Sequence, residues 1–134
     1  MNALELANSI RVHRGRVVDA LDPELGLHTL RDTVRALFEA AAVSGNPAAG
    51  GVELLNRLAV APCLHWDKSG PGLEDEDHTA EAARTAIELL ASGRIRKCGN
   101  SRCVRFFLAE GRRAFCSSTC ANRTRVARHA ARRR

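Results

Sequence analysis

The sequence has no tyrosine, one tryptophan and four phenylalanines among 134 residues. So few aromatics argue against a platform that stacks single-stranded bases. Proline and glycine are also scarce, at four and ten, which excludes a collagen-like or low-complexity chain. Apolar runs are short, well below the ~20 residues of a membrane span, so no membrane partner is expected. The opening Met-Asn-Ala-Leu-Glu-Leu-Ala-Asn has neither a basic n-region nor a continuous apolar stretch, so no secretory signal is read there. These absences predict a cytoplasmic protein, in a compartment where thiols stay reduced.

Against that background, five cysteines need a reason other than disulfides. Four fall in one pattern, Cys98-x4-Cys103-x12-Cys116-x3-Cys120, and Cys63 stands alone. Two close pairs joined by a longer loop deliver four thiolates to the corners of a tetrahedron, the arrangement of a structural zinc site. With every position filled by protein, no open site is left for water or substrate. Ligand type and spacing favour zinc over an iron–sulfur cluster. A segment of about forty residues buries little core alone, so the metal is expected to supply folding energy.

Charge divides the chain at the same place. Residues 1–93 carry eight Lys/Arg against fourteen Asp/Glu, a net of −6, and residues 94–134 carry thirteen against one, a net of +12. Four thiolates on one Zn²⁺ remove only two charges from the basic half. An acidic body joined to a basic metal module points to a nucleic-acid-facing element.

The body reads as mostly helical. Apolar residues Leu27, Leu30, Val34, Leu37, Phe38 and Ala41 recur at helical spacing and predict a helix over residues 28–43, capped by Thr29 with Asp32 and stopped at Ser44-Gly45. Asn46-Pro47 predicts the start of a second helix reaching residue 59, with Leu54, Leu55 and Leu58 inward. Residues 62–66 and 72–74 predict a short hairpin around Lys68-Ser-Gly-Pro-Gly. The acidic run 74–77 heads a third helix over 79–92, stopped by Gly93. In residues 1–21, Leu6, Ile10, Val17 and Leu21 suggest a helix that Gly15 interrupts.

In the basic segment, Gly99-Asn100 suits a positive-φ turn around the metal. Residues 104–108 have strand character, Glu110-Gly111 is a turn, and 113–115 lead back to the cysteines. Ser117 or Ser118 caps a helix to about residue 131, with Cys120 in its first turn. The fold class expected is mainly α: a small helical N-terminal domain (1–93) with a short β-hairpin, then a treble-clef-like four-cysteine zinc finger (94–134) ending in a basic helix.

At these residues the sequence resembles the CGNR zinc-finger family. The resemblance rests on Cys98-Gly99-Asn100, Cys103, Phe106-Phe107, Arg112-Arg113, Phe115-Cys116-Ser117 and Cys120-Ala121-Asn122-Arg123. The eponymous Cys-Gly-Asn-Arg is here Cys-Ala-Asn-Arg, Phe115 stands where relatives carry Trp, and the insert between the cysteine pairs is short. The body similarly resembles the ABATE domain, at residues 3–8, 30–37, 54–58 and 88–93. The resemblance implies a stress-related transcription regulator whose finger meets DNA. The +12 segment around a closed metal site leads to the same expectation, with a helical body that dimerises or senses a small-molecule effector.

On the last helix Arg125, Arg128 and Arg132 share a face, and Val126, Ala127 and Ala130 are expected to pack inward. Arg102, Arg105, Arg112 and Arg113 add charge from the loops, and Asn122 and Arg123 follow the last ligand. These nine residues are the candidate duplex-DNA contacts, since arginine pairs bidentately with phosphate and guanine. A zinc-finger adaptor for protein or RNA is the alternative. Catalysis is not expected. Cys63, His65 and Asp67 alternate on one strand side, where side chains stand about 6–7 Å apart, too far for a nucleophile–base hydrogen bond.

Overall fold

The computed structural model describes residues 1–47, 49–73 and 77–133. Among them are five α-helices: α1 (Ala3–Ala7), α2 (His28–Glu39), α3 (Gly51–Leu58), α4 (His78–Ser92) and α5 (Ser118–Arg132). Three two-stranded antiparallel sheets accompany them, β1 (Ile10–His13) with β2 (Arg16–Asp19), β3 (Leu64–Asp67) with β4 (Gly70–Leu73), and β5 (Ile95–Lys97) with β6 (Phe106–Leu108).

The first twenty residues depart from the helical reading. Helix α1 is one and a half turns, closed by a capping box in which Asn2 accepts from Glu5 N–H and Glu5 accepts from Asn2 N–H. The chain then enters a hairpin whose turn, Arg14-Gly15, has positive φ at both residues (49° and 75°). Paired positive φ is the two-residue turn that matches strand twist, so Gly15 makes a hairpin and does not merely interrupt a helix. Leu6 thus lies on α1, Ile10 on β1 and Val17 on β2, and Leu21 enters the core after the hairpin.

Helix α2 carries the expected stripe, with Leu30, Val34, Leu37 and Phe38 buried. Its start is not capped by Thr29 or Asp32: Leu27 occupies the cap position without a side-chain hydrogen bond, and Asp32 instead accepts from Arg31 Nε at 3.0 Å. At its far end a wider π turn, Ala40–Ser44, ends on Gly45 at φ 76°. Helix α3 begins at Gly51, later than Asn46-Pro47 suggested, because Gly50 sits at φ 85°, outside any right-handed helix. Leu55 is its buried anchor and Leu54 and Leu58 are half-buried. The second hairpin turns at Lys68-Ser69, with strands over Leu64–Asp67 and Gly70–Leu73 in place of the expected 62–66 and 72–74. Of the acidic run, residues 74–76 lie outside the described residues, while Asp77 caps α4 by accepting from Thr79 N–H at 3.0 Å. Gly93, at φ 67°, ends α4 as expected.

One apolar core runs through both halves of the chain. It gathers Leu6, Leu21, Leu27, Leu30, Val34, Phe38, Leu55, Ala82, Ala83 and Ala86 with Ile95 and Phe106 from the β5–β6 sheet. Phe38 and Phe106 meet edge to face, with centroids 5.6 Å apart at 72°, worth about 1 kcal/mol beyond the area they bury. The cysteine-bearing segment therefore rests on the helical body.

Candidate metal centre and basic finger

The cysteine pairs are delivered by two different devices. Cys98 and Cys103 flank a tight loop between β5 and β6. Arg105 carbonyl accepts from Cys98 N–H at 3.0 Å and Asn100 carbonyl from Cys103 N–H at 2.9 Å. Gly99 is required here for space and not for a positive φ: a Cβ would lie 2.9 Å from the Ala114 carbonyl, which accepts the Gly99 N–H at 2.8 Å. That contact ties the first loop to the segment carrying Cys116. Cys116 and Cys120 straddle the start of α5, where the Ser117 hydroxyl accepts from Cys120 N–H at 3.2 Å. The hairpin thus spans the first cysteine pair, with β6 pairing to β5 and not to residues 113–115.

The four sulfurs converge. All Sγ atoms lie within 4.8 Å of one another, with 3.7 Å between Cys103 and Cys116 and 3.6 Å between Cys116 and Cys120. A tetrahedron with Zn–S near 2.3 Å has edges of about 3.8 Å, so the cage fits one Zn²⁺. Cys116 N–H points at Cys98 Sγ at 3.4 Å, which lowers the cost of a charged sulfur. Burial pushes the Cys116 thiol up to about 12 and also raises Cys103. Burial acts the same way on Cys120, but hydrogen bonds led by that from Asn100 outweigh it and bring this thiol down to about 7. Buried as they are, Cys103 and Cys116 hold their protons until a cation neutralises them. Four protein sulfurs leave a bound zinc no open coordination position, so its chemistry here is structural cross-linking.

Two residues that sequence reasoning missed fasten this centre to the body. Arg35 on α2 is half-buried and donates from one guanidinium nitrogen to Ala7 carbonyl at 2.5 Å and from another to Val104 carbonyl at 2.8 Å. Its guanidinium also stands 5.2 Å over the Phe106 ring. Asn8, just after α1, pairs its carboxamide with the backbone of Phe106. An arginine beside an apolar stripe was the available signal for the first, but it does not distinguish a brace from a surface charge. Asn8 carries no such signal, since its partner is remote in sequence.

The nine basic-face candidates occupy different settings. Arg113 is committed to the finger: its Nε donates to Phe115 carbonyl at 2.9 Å, another nitrogen donates to Cys116 carbonyl, and the guanidinium lies 4.9 Å over Phe107. Asn122 accepts from Arg125 at 3.1 Å. Arg102, Arg105, Arg112, Arg123, Arg128 and Arg132 are exposed. Helix α5 does not pack an alanine face inward. Residues 125–133 are all exposed, Val126 at 65%. Only the first turns of α5, at Cys120, Ala121 and Thr124, are held against the finger.

The hairpin cysteine sits apart. Cys63 is exposed. His65 does reach Asp67, at 3.3 Å, because long side chains lean along the strand. Asp67 is already held by Ser69, whose hydroxyl and N–H both donate to it.

Comparison with known families agrees with this arrangement. The ABATE family model, described as "Putative stress-induced transcription regulator", matches residues 24–93, and the CGNR zinc finger model matches residues 94–133. No curated protein matches the chain. The first 23 residues, which include Asn8 and Ala7, lie outside both matches. With its helical core matched across half the sequence and its four-cysteine cage matched by the second model, the chain belongs to the ABATE family and carries a CGNR zinc finger with one structural zinc.

Proposed function

We propose that the protein is a transcription regulator that grips duplex DNA with its zinc-braced basic segment. The observation that carries this reading is helix α5. It starts inside the metal cage, with Cys120 buried and Ser117 as its cap, and then projects with residues 125–133 exposed on every side. A 15-residue helix extends about 22 Å. That length suits a major groove, which admits one α-helix.

In this reading Arg125, Arg128 and Arg132 meet phosphates or guanine edges from one helix face. Arg123, Arg102, Arg105 and Arg112 add phosphate contacts around it. Arg113 acts from behind, holding Phe115 and Cys116 in place. Asn122 orients Arg125. The zinc takes no part in contact; it fixes the direction in which the helix leaves the body.

Binding of a fluorescent duplex measured across a range of salt concentrations tests the reading. About five phosphate contacts give a steep log–log slope, near −4 to −5. No binding at low salt, or affinity indifferent to salt, overturns it.

A further inference from the structure

The β3–β4 hairpin presents its apolar side to solvent. Cross-strand register places Leu64 opposite Leu73 and Trp66 opposite Pro71. Residues two apart on a strand, and residues directly opposite, share a face. Leu64, Trp66, Pro71 and Leu73 therefore form one face. The other carries His65, Asp67, Gly70 and Gly72. There the His65 ring lies so close over Gly72 that a Cβ would sit 2.9 Å from it. Trp66 is 74% exposed, Leu64 68% and Leu73 53%.

Such a hairpin is anomalous. Two strands alone are marginally stable in water and gain independent stability by covering an apolar face. This one holds the chain's single tryptophan in the open. Together the four side chains expose on the order of 450 Å² of apolar surface, the size of patch that marks an interaction site on a soluble domain.

We propose that this face is where two copies of the chain associate. Two arguments select a second copy. The first is area. Two such faces in apposition bury on the order of 900 Å², the size of a weak, reversible contact between folded proteins. The second is charge. The face carries no charged side chain, although residues 1–93 hold −6 and residues 94–134 hold +12. A phosphate backbone or a charged peptide finds no counter-charge on it. A two-fold contact brings an identical patch to it, apolar against apolar. The proposal stands apart from DNA binding and is tested without DNA.

Sedimentation of the zinc-loaded chain across roughly 1–200 µM, read alongside tryptophan emission, is the experiment. The expected result is a reversible monomer–dimer equilibrium, with emission shifting to the blue as dimer forms. Leu64→Lys and Leu73→Lys retain the fluorophore and weaken dimerisation at least tenfold. Val17→Lys, on the exposed face of the other hairpin (69% exposed), leaves it unchanged. Circular dichroism and one zinc per chain establish that each variant is folded. A wild-type chain that stays monomeric with unchanged emission overturns the proposal. So does a dimer that Leu64→Lys does not weaken, or a monomer whose emission shifts only on adding duplex DNA.

Discussion

The carboxamide of Asn8 makes a two-way pair with the backbone of Phe106: Nδ2 donates to the carbonyl at 2.9 Å and Oδ1 accepts the N–H at 2.9 Å. A side chain at the end of α1 thus takes the place of a third strand beside β6. Asn8→Ala leaves two part-buried backbone groups without partners and is expected to cost about 2–3 kcal/mol. Asn8→Asp keeps the acceptor and loses the donor, so it falls between. Denaturant midpoints of the zinc-loaded proteins measure this, and equal midpoints for wild type and Asn8→Ala would contradict it.

Arg35, on α2, ties down two other segments: Ala7 at the end of α1, and the stretch running into β6 through Val104 and the Phe106 ring. Arg35→Met keeps the aliphatic stem but abandons both carbonyls, and hydrogen bonds from charged donors are the stronger kind. The expected loss is about 2–4 kcal/mol, together with faster zinc release, because Val104 adjoins Cys103. Arg35→Lys restores little, since a single ammonium cannot reach two diverging carbonyls. A chromophoric chelator competing for zinc reads the release rate; a rate unchanged in Arg35→Met would separate the brace from the metal.

Zinc affinity should depend on pH with a definite sign. Burial raises Cys116 to about 12 and also raises Cys103. Metal binding must therefore expel protons, and affinity falls as pH falls. Without metal the sign is opposite for Cys116: its proton is held more tightly folded than unfolded, so the stability it contributes is present below the ordinary thiol value of 9.0 and lost as pH rises toward about 12. Chelator titrations between about pH 5 and 8 test the first statement. Alkaline unfolding of the zinc-free Cys116→Ser variant against the zinc-free parent tests the second.

Arg31 is 5% exposed and is hydrogen-bonded by Asp19 at 2.7 Å and Asp32 at 3.0 Å. The bond from Arg31 holds the Asp19 carboxyl below its ordinary value. A depressed acid contributes stability above its unfolded value of 3.8, and that contribution is lost as pH falls through the folded value. Asp19→Asn should therefore be less stable than wild type at about pH 7 and equal to it near pH ~2. Thermal midpoints across that range decide, and parallel curves would exclude the linkage.

The arginines separate by role. Replacing Arg125, Arg128 and Arg132 together by alanine should reduce the salt slope of DNA binding by about 2–3 without changing stability. Arg113→Ala should lower stability instead, since it strips the carbonyls of Phe115 and Cys116 and uncovers Phe107. The two measurements, fluorescence anisotropy and thermal unfolding, should move in opposite variants.

Much of this was legible in the sequence because it depends on spacing along the chain. The stripe of α2, the stop at Gly93 and the four-sulfur pattern are local periodicities. What escaped was either ambiguous locally or set by a partner far along the chain. The Arg14-Gly15 turn looked like a helix break, because the apolar residues around it fit a helical period as readily as a strand. The strand character of 104–108 did not name its partner, because β5 lies across the whole first cysteine loop. The exposed alanines of α5 followed a packing rule for helices that lie on a core, which this helix leaves after its second turn. Asn8 and Arg35 could be recognised as braces only once the backbone placed carbonyls beside them.

Because Ile95 and Phe106 sit in the same core as Phe38 and Leu55, zinc acts as a ligand of the entire fold. Occupancy of the cage favours the native state of the helical half as well, by about 1.4 kcal/mol for each tenfold excess of free zinc over its dissociation constant. A cell starved of the metal would thus forfeit more than a fingertip: the helical half becomes softer along with it.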